Sequence, residues 1–239
     1  PLLWDKRESL GCKVVTYGIE NSACDLTADL HSDGTFDIVN NGLAAAHLPV
    51  GEKFTAKLSI PGKHNVLNAL AAGAVGLLLG ETPELIAQGL VSYQASGMRQ
   101  NIYEQDGYQI YADCYNASPD AMEATLSVLG GMAGDGRRFA VLGSMLELGD
   151  YAEEGHRRAG RAAAQYADAL YAYGPDAAAM VAGAREKGME HAYAFDDQTA
   201  LVAALREDAT KGDALLFKGS RGMRMERALA MFLGEEVEA

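Results

Sequence analysis

Asp113-Cys114-Tyr115-Asn116-Ala117-Ser118-Pro119-Asp120, running on into Ala121-Met122-Glu123-Ala124, is the stretch on which the reading of the chain turns. It follows a β-like run, Tyr108-Gln109-Ile110-Tyr111-Ala112. Ser118-Pro119-Asp120 then has the chemistry of a helix start: a hydroxyl to cap, a proline that needs no N–H partner, and a carboxylate at the positive end of the dipole. A carboxylate and an amide therefore sit at a strand-to-helix switch. Open α/β sheets bind ligands there, at the carboxyl ends of strands and beside helix N-termini. An ordinary βα loop, in which Asp and Asn make turn hydrogen bonds, uses the same residue types.

Downstream of this stretch, strands and helices alternate. Helices are predicted over about 119–131, 152–166, 177–187, 198–209 and 223–232, and strands over 138–142, 169–173, 191–195 and 214–218. Helices of 10 to 15 residues between short strands signal βαβ crossovers, and hence a mostly parallel, doubly wound sheet. Just upstream, Asn101 to Glu104 and Tyr108 to Ala112 form a hairpin around Asp106-Gly107.

The first 60 residues read as a short helix or loop followed by β structure. Strands are predicted at Lys13–Tyr17, Thr35–Val39 and Lys53–Ile60, with turns at Ser32-Asp33-Gly34 and Asn40-Asn41-Gly42. Such a patch is partly antiparallel and has too few strands to be stable alone. Pro61-Gly62-Lys63-His64-Asn65 opens an apolar helix over about 66–79. Asn65 and Asn68 lie three apart, so both amides can face one way at its N-terminal end and hydrogen-bond a purine or a phosphate. Asn65 as a plain N-cap beside a solvated Lys63-His64 turn is the simpler alternative. A second helix covers 83–93, and Ser96-Gly97 reads as a hinge, giving units 1–96 and 97–239.

A content of 49% hydrophobic and 22% charged residues is that of a soluble globular protein. The net charge of -13 argues against nucleic acid or an anionic membrane as the main partner, since both need basic surface. A phosphorylated small molecule remains compatible. Cys12, Cys24 and Cys114 show neither zinc nor disulfide spacing, so a reducing cytoplasm is expected. No apolar run reaches the roughly 18 residues of a membrane span. The chain opens at Pro1 in mid-pattern, as a piece of something longer would.

Several signatures are missing. After Phe139-Ala140-Val141-Leu142 comes Gly143-Ser144-Met145-Leu146-Glu147-Leu148-Gly149, which does not fit GxGxxG, so a nicotinamide enzyme is disfavoured. GxxxxGK[ST] is absent, which by itself speaks against ATP use, and so are GxSxG and HExxH. Lys218-Gly219-Ser220-Arg221 ends the last strand, where two cations flanking Gly-Ser suit a carboxylate or phosphate. A basic turn that merely caps the helix is the alternative.

Taken together, Pro61-Gly62-Lys63-His64-Asn65-Val66-Leu67-Asn68, Gly97-Met98-Arg99, the Asp113–Met122 stretch, Gly143–Gly149 with His156, and Lys218–Met223 resemble the bacterial Mur ligases. Within that family the pattern is similar to the MurF type, which joins D-alanyl-D-alanine to UDP-N-acetylmuramoyl-tripeptide. The motifs occur in family order over nearly the whole chain. The resemblance implies a Rossmann-like ligase domain over 97–239, preceded at 1–96 by the C-terminal part of a central α/β ATPase domain whose phosphate loop lies outside this chain.

It also implies site residues. His64, Asn65 and Asn68 match the HNxxN motif at the adenine, Arg99 an arginine reaching the phosphates as the catalytic cation, Asp113 a ribose-contacting carboxylate, and Asn116 its neighbour near the phosphates. Lys218, Ser220 and Arg221 match the segment at the incoming dipeptide. Ser144 departs from the family's usual Asp. The implied cofactors are ATP and Mg2+, with the metal ligands mostly outside this chain, and a cytoplasmic monomer is expected. Competing readings are another Mur ligase, a folylpolyglutamate synthetase-like ligase, or a non-catalytic nucleotide-binding module. Tyr115-Asn116-Ala117 and Lys218–Arg221 favour the MurF type.

Overall fold

The computed structural model describes residues 4–94, 97–132 and 134–235. It resolves into two compact units, Pro1–Gln94 and Ala95–Ala239. Gly97 of the expected hinge has φ +63°, while Ser96 lies outside the described residues.

In the first unit, strands β1 (Tyr17–Ile19), β2 (Leu26–Leu30), β3 (Thr35–Asn40) and β4 (Lys53–Lys57) form one sheet in sequence order. β1 and β2 are parallel and the other pairs antiparallel. Helices α1 (Lys63–Leu79) and α2 (Pro83–Ser92) follow. Period-two alternation turns Leu26, Ala28, Phe36, Ile38 and Ala56 inward, where they form one core with Val66, Leu70 and Leu77 of α1.

Three expectations need correction here. The strand predicted at Lys53–Ile60 ends at Lys57. The strand predicted at Lys13–Tyr17 begins only at Tyr17. Before it, the Asp25 carboxylate takes both the amide and the hydroxyl of Thr16, at 2.8 and 2.7 Å, beside a backbone bond from the Leu26 amide to the Thr16 carbonyl at 3.1 Å. α1 starts three residues before the predicted Val66, because Gly62 at φ +110° lets the chain turn sharply into the helix.

On β3, Asp37 is buried and accepts hydrogen bonds from Lys53 and Thr55, each at 2.7 Å, with His31 Nε2 at 3.4 Å. The Lys53 bond, then the Thr55 bond, hold its carboxyl at about 2, below the ordinary 3.8. A depressed folded-state pKa stabilises the fold above the unfolded value, and that contribution is lost as pH falls from about 4 to about 2. Asp37→Asn should therefore lower the urea midpoint at neutral pH and flatten its acid limb in that window. A variant whose acid limb matches the parent's would show that Asp37 carries no linkage.

The second unit holds a six-stranded sheet. Its strands are β5 (Asn101–Gln105), β6 (Tyr108–Asp113), β7 (Arg138–Gly143), β8 (Ala169–Tyr173), β9 (Ala192–Phe195) and β10 (Ala214–Lys218), in the order β5-β6-β10-β7-β8-β9. All neighbours are parallel except β5 and β6, whose hairpin turns at Asp106 (φ 54°) and Gly107 (φ 88°). Two positive φ values in succession are what a tight two-residue hairpin loop requires.

Helices α3 (Pro119–Leu129), α4 (Ala152–Tyr166) and α5 (Ala177–Glu186) share a core with one face of this sheet. α6 (Gln198–Asp208) and α7 (Met225–Leu233) share a core with the other, which makes the sheet doubly wound. The last helix was predicted from Met223; instead a 3-10 turn at Arg221–Met223 and Arg224 in the left-handed region (φ 46°) separate it from β10.

Candidate active site

The carboxyl ends of β6 and β10 are neighbours, because β10 inserts between β6 and β7 with Lys218 in register with both Asp113 and Leu142. That register sets the Lys218 ammonium against the Asp113 carboxylate, with side chains only 2% and 9% exposed. The ammonium also donates to the Asn116 carbonyl at 3.0 Å. Asp113 accepts further from the Gln100 amide at 3.2 Å, whereas the Thr125 hydroxyl, 3.3 Å away, has one proton and a nearer acceptor in the Ala121 carbonyl at 2.7 Å. A carboxylate has about four acceptor positions, so the bonds from Lys218 and Gln100 do not exhaust it.

Lys218 and Asp113, assigned by resemblance to different substrates, thus form a single buried ion pair. Lys218 is accordingly no part of an exposed basic turn; only Arg221 is, with its side chain 63% exposed and 3.0 Å from Glu226.

Ser118 caps α3 as read, accepting from the Ala121 amide at 3.3 Å, with Pro119 in the first turn. This leaves Tyr115 and Asn116 exposed between strand and helix, where the Asn116 side chain turns back to accept from the Ala117 amide at 2.9 Å. Arg99 lies over the Tyr115 ring, 3.9 Å from its centroid. A guanidinium so placed is attracted by the ring's quadrupole and restrained while still facing solvent. Tyr115 went unnoticed as a partner for Arg99, since 16 residues of sequence separate the two. Cys114 is fully buried, and burial, then Glu226 and Asp113, push its thiol up to about 12, so it is no nucleophile.

The Gly143–Gly149 loop closes the next strand end. Ser144 donates its amide to the Tyr173 carbonyl at 2.9 Å and accepts the Asp176 amide on its hydroxyl at 3.0 Å. The Met145 amide donates to His156 Nε2 at 2.8 Å, and the Leu146 amide to the Ser220 hydroxyl at 2.9 Å. Ser220, itself 6% exposed, is thereby tied to the neighbouring loop.

In the first unit, Asn65 and Asn68 border one cleft of about 370 Å³ with Leu58, Ile60, Ala69 and Tyr93. Asn65 is buried and donates to the Pro61 carbonyl at 2.6 Å, whereas Asn68 is exposed one turn on. An apolar slot with two amides at its rim suits a flat heteroaromatic ring such as a purine. His64 is half-buried at the start of the same helix. Among the described residues no three His, Cys, Asp or Glu side chains converge as a cation site.

The family description "Mur ligase middle domain" matches residues 2–76, and "Mur ligase, glutamate ligase domain" matches residues 98–221. The UDP-N-acetylmuramoyl-tripeptide--D-alanyl-D-alanine ligase of Bacillus subtilis (strain 168) is 35% identical over 95% of this chain and 48% of its own length. The fold is similar to MurF from Acinetobacter baumannii, at TM-score 0.76 and 27% identity over 93% of this chain and 47% of that one. It is also similar to MurF from Thermotoga maritima in complex with ADP, at TM-score 0.73 and 29% identity over 92% and 48%. The chain spans about half the length of these relatives. With family descriptions matched in both units, the second alone covering more than half of the sequence, the chain belongs to the Mur ligase family.

Proposed function

We propose that this chain is the nucleotide-closing and amine-substrate-binding part of an ATP-dependent ligase that joins D-alanyl-D-alanine to UDP-N-acetylmuramoyl-tripeptide in the cytoplasm. Residues 1–96 are the C-terminal part of its ATP-binding domain and residues 97–239 its ligase domain. The observation that carries this reading is the gathering of Arg99, Asp113, Asn116, Lys218 and Arg221 at adjacent strand ends of a Mur ligase fold. No helix of the described residues is long and apolar enough to cross a membrane.

In the proposed reaction, a carboxylate oxygen of the tripeptide attacks the γ-phosphorus of ATP and ADP leaves. The dipeptide amine, having lost a proton, then attacks the acyl carbon and phosphate departs with the C–O bond electrons. Asn65 and Asn68 hold adenine edges at their cleft, and His64 supports the same turn. An open acceptor position of Asp113 takes a ribose hydroxyl, and Asn116 lies beside the phosphates. Arg99 stabilises charge growing on the transferring phosphoryl group, the dominant need of such a transition state. Arg221 takes the dipeptide carboxylate, while Lys218 and Ser220 fix the turn that presents it. Mg2+ accompanies ATP, and none of these roles is routed through it.

Because GxxxxGK[ST] is absent from the 239 residues, ATP has only adenine, ribose and distal contacts here. Calorimetric titration of this chain with Mg-ATP should give a millimolar dissociation constant or no heat, with no ADP release when both other substrates are added. Micromolar binding or turnover would place a phosphate site in residues other than those named. In an enzyme that also carries a phosphate loop, Arg221→Ala should raise KM for the dipeptide more than KM for ATP. Equal effects would sink the assignment of Arg221.

A further inference from the structure

We infer that His156 is a positioning residue for the amine-substrate site: together with Ser220 it fixes the Gly143–Gly149 loop against the turn that bears Arg221. The inference rests on the reading of 218–221 as the dipeptide's segment. His156 is fully buried in α4. Its Nδ1 lies 2.6 Å from the Ala152 carbonyl, which can only accept, so Nδ1 carries the proton and Nε2 is left as an acceptor. That acceptor meets the amide of Met145, a residue 1% exposed, whose N–H water does not reach. An apolar side chain of equal volume would fill the space and leave the amide orphaned, which is the costly outcome for a buried donor.

The neighbours of Met145 are tied in the same way to different elements. Ser144 is bonded to the end of β8 and the loop after it, and Leu146 to Ser220 after β10. Three consecutive residues are thus anchored on three sides. The loop and the 218–222 turn pack closely: a Cβ on Gly219 would lie 3.1 Å from Gly143 Cα, and one on Gly222 would lie 2.8 Å from Leu146 Cδ1. Leu146, 40% exposed, and Glu147, held at φ +67°, then face outward beside Arg221's turn. His156 is itself shielded from solvent, and besides the Met145 amide its Nε2 has the Asp176 carboxylate 3.7 Å away.

The test uses the 239-residue chain, amide hydrogen exchange, and NMR titration with D-alanyl-D-alanine. In His156→Leu, exchange at Met145 and Leu146 should accelerate about tenfold or more, as loss of one hydrogen bond implies, while Leu142 and Phe217 in the strands keep their protection. Dipeptide-induced shifts at 219–222 should need about tenfold more ligand. His156→Gln, whose side-chain carbonyl can accept from Met145, should recover most of both. Ser220→Ala, which empties no core volume, should loosen Leu146 and weaken the dipeptide even if the histidine variants fold poorly. Unchanged exchange at Met145 and Leu146 overturns the clamp. Faster exchange with unchanged dipeptide affinity overturns the positioning role. An absence of dipeptide shifts in the unsubstituted chain overturns the reading of 218–221 itself, and is distinguishable because it needs no substitution.

Discussion

Lys218→Ala should destabilise the second unit by about 3–5 kcal/mol, because it leaves the Asp113 carboxylate buried without its cation. The Gln100 amide remains as a donor, which places the expectation toward the lower end. The Asn116 carbonyl also loses its donor, so the loop that follows β6 should loosen with the strand end. Urea unfolding of the variant gives the loss directly. Adding Asp113→Asn should recover part of it, since a neutral amide tolerates burial better than an unpaired carboxylate, and the double-mutant cycle yields the coupling. A loss below about 1 kcal/mol would mean that the pair is solvated like a surface ion pair. Activity changes in Lys218 variants accordingly report on folding first, and the exposed Arg221 is the cleaner probe of the dipeptide.

Arg99→Ala should lower kcat by about a hundredfold or more in an enzyme carrying a phosphate loop, with the fold intact. Removing a preorganised cation from a developing charge has effects of that order. The side chain is exposed and stacked on Tyr115, so no core is disturbed. Tyr115→Phe should retain nearly all the rate because the ring face is preserved, and Tyr115→Ala should fall between, since the guanidinium is then unrestrained. Near-parental kcat for Arg99→Ala would make Arg99 a structural residue of the segment before β5.

Much of the second unit was legible from periodicity and punctuation. The α4, β8 and β10 spans, Ala152–Tyr166, Ala169–Tyr173 and Ala214–Lys218, coincide with the expected ones, and Asp106-Gly107 marked its hairpin. β2 escaped notice although Leu26-Thr27-Ala28-Asp29-Leu30 alternates, because the polar run before it reads as an extended loop. The inner nature of Lys218 was hidden for another reason. Local chemistry makes Lys-Gly-Ser-Arg a basic turn, and only the insertion of β10 between β6 and β7 brings a carboxylate over it. The clamp on Gly143–Gly149 was likewise invisible, since hydrogen bonds such as Leu146 to Ser220 span 74 residues.

The central place of β10 bears on how the chain is made. Synthesis delivers β6 and β7 more than a hundred and about seventy residues, respectively, before the strand that joins them. Until Lys218 has cleared the ribosome, both strands present unpaired backbone along the middle of the future sheet, and slow, non-local pairing of this kind exposes a nascent chain to misassembly. Chains arrested before β10 should therefore be protease-sensitive throughout 98–213, with protection arriving in one step once that strand is released.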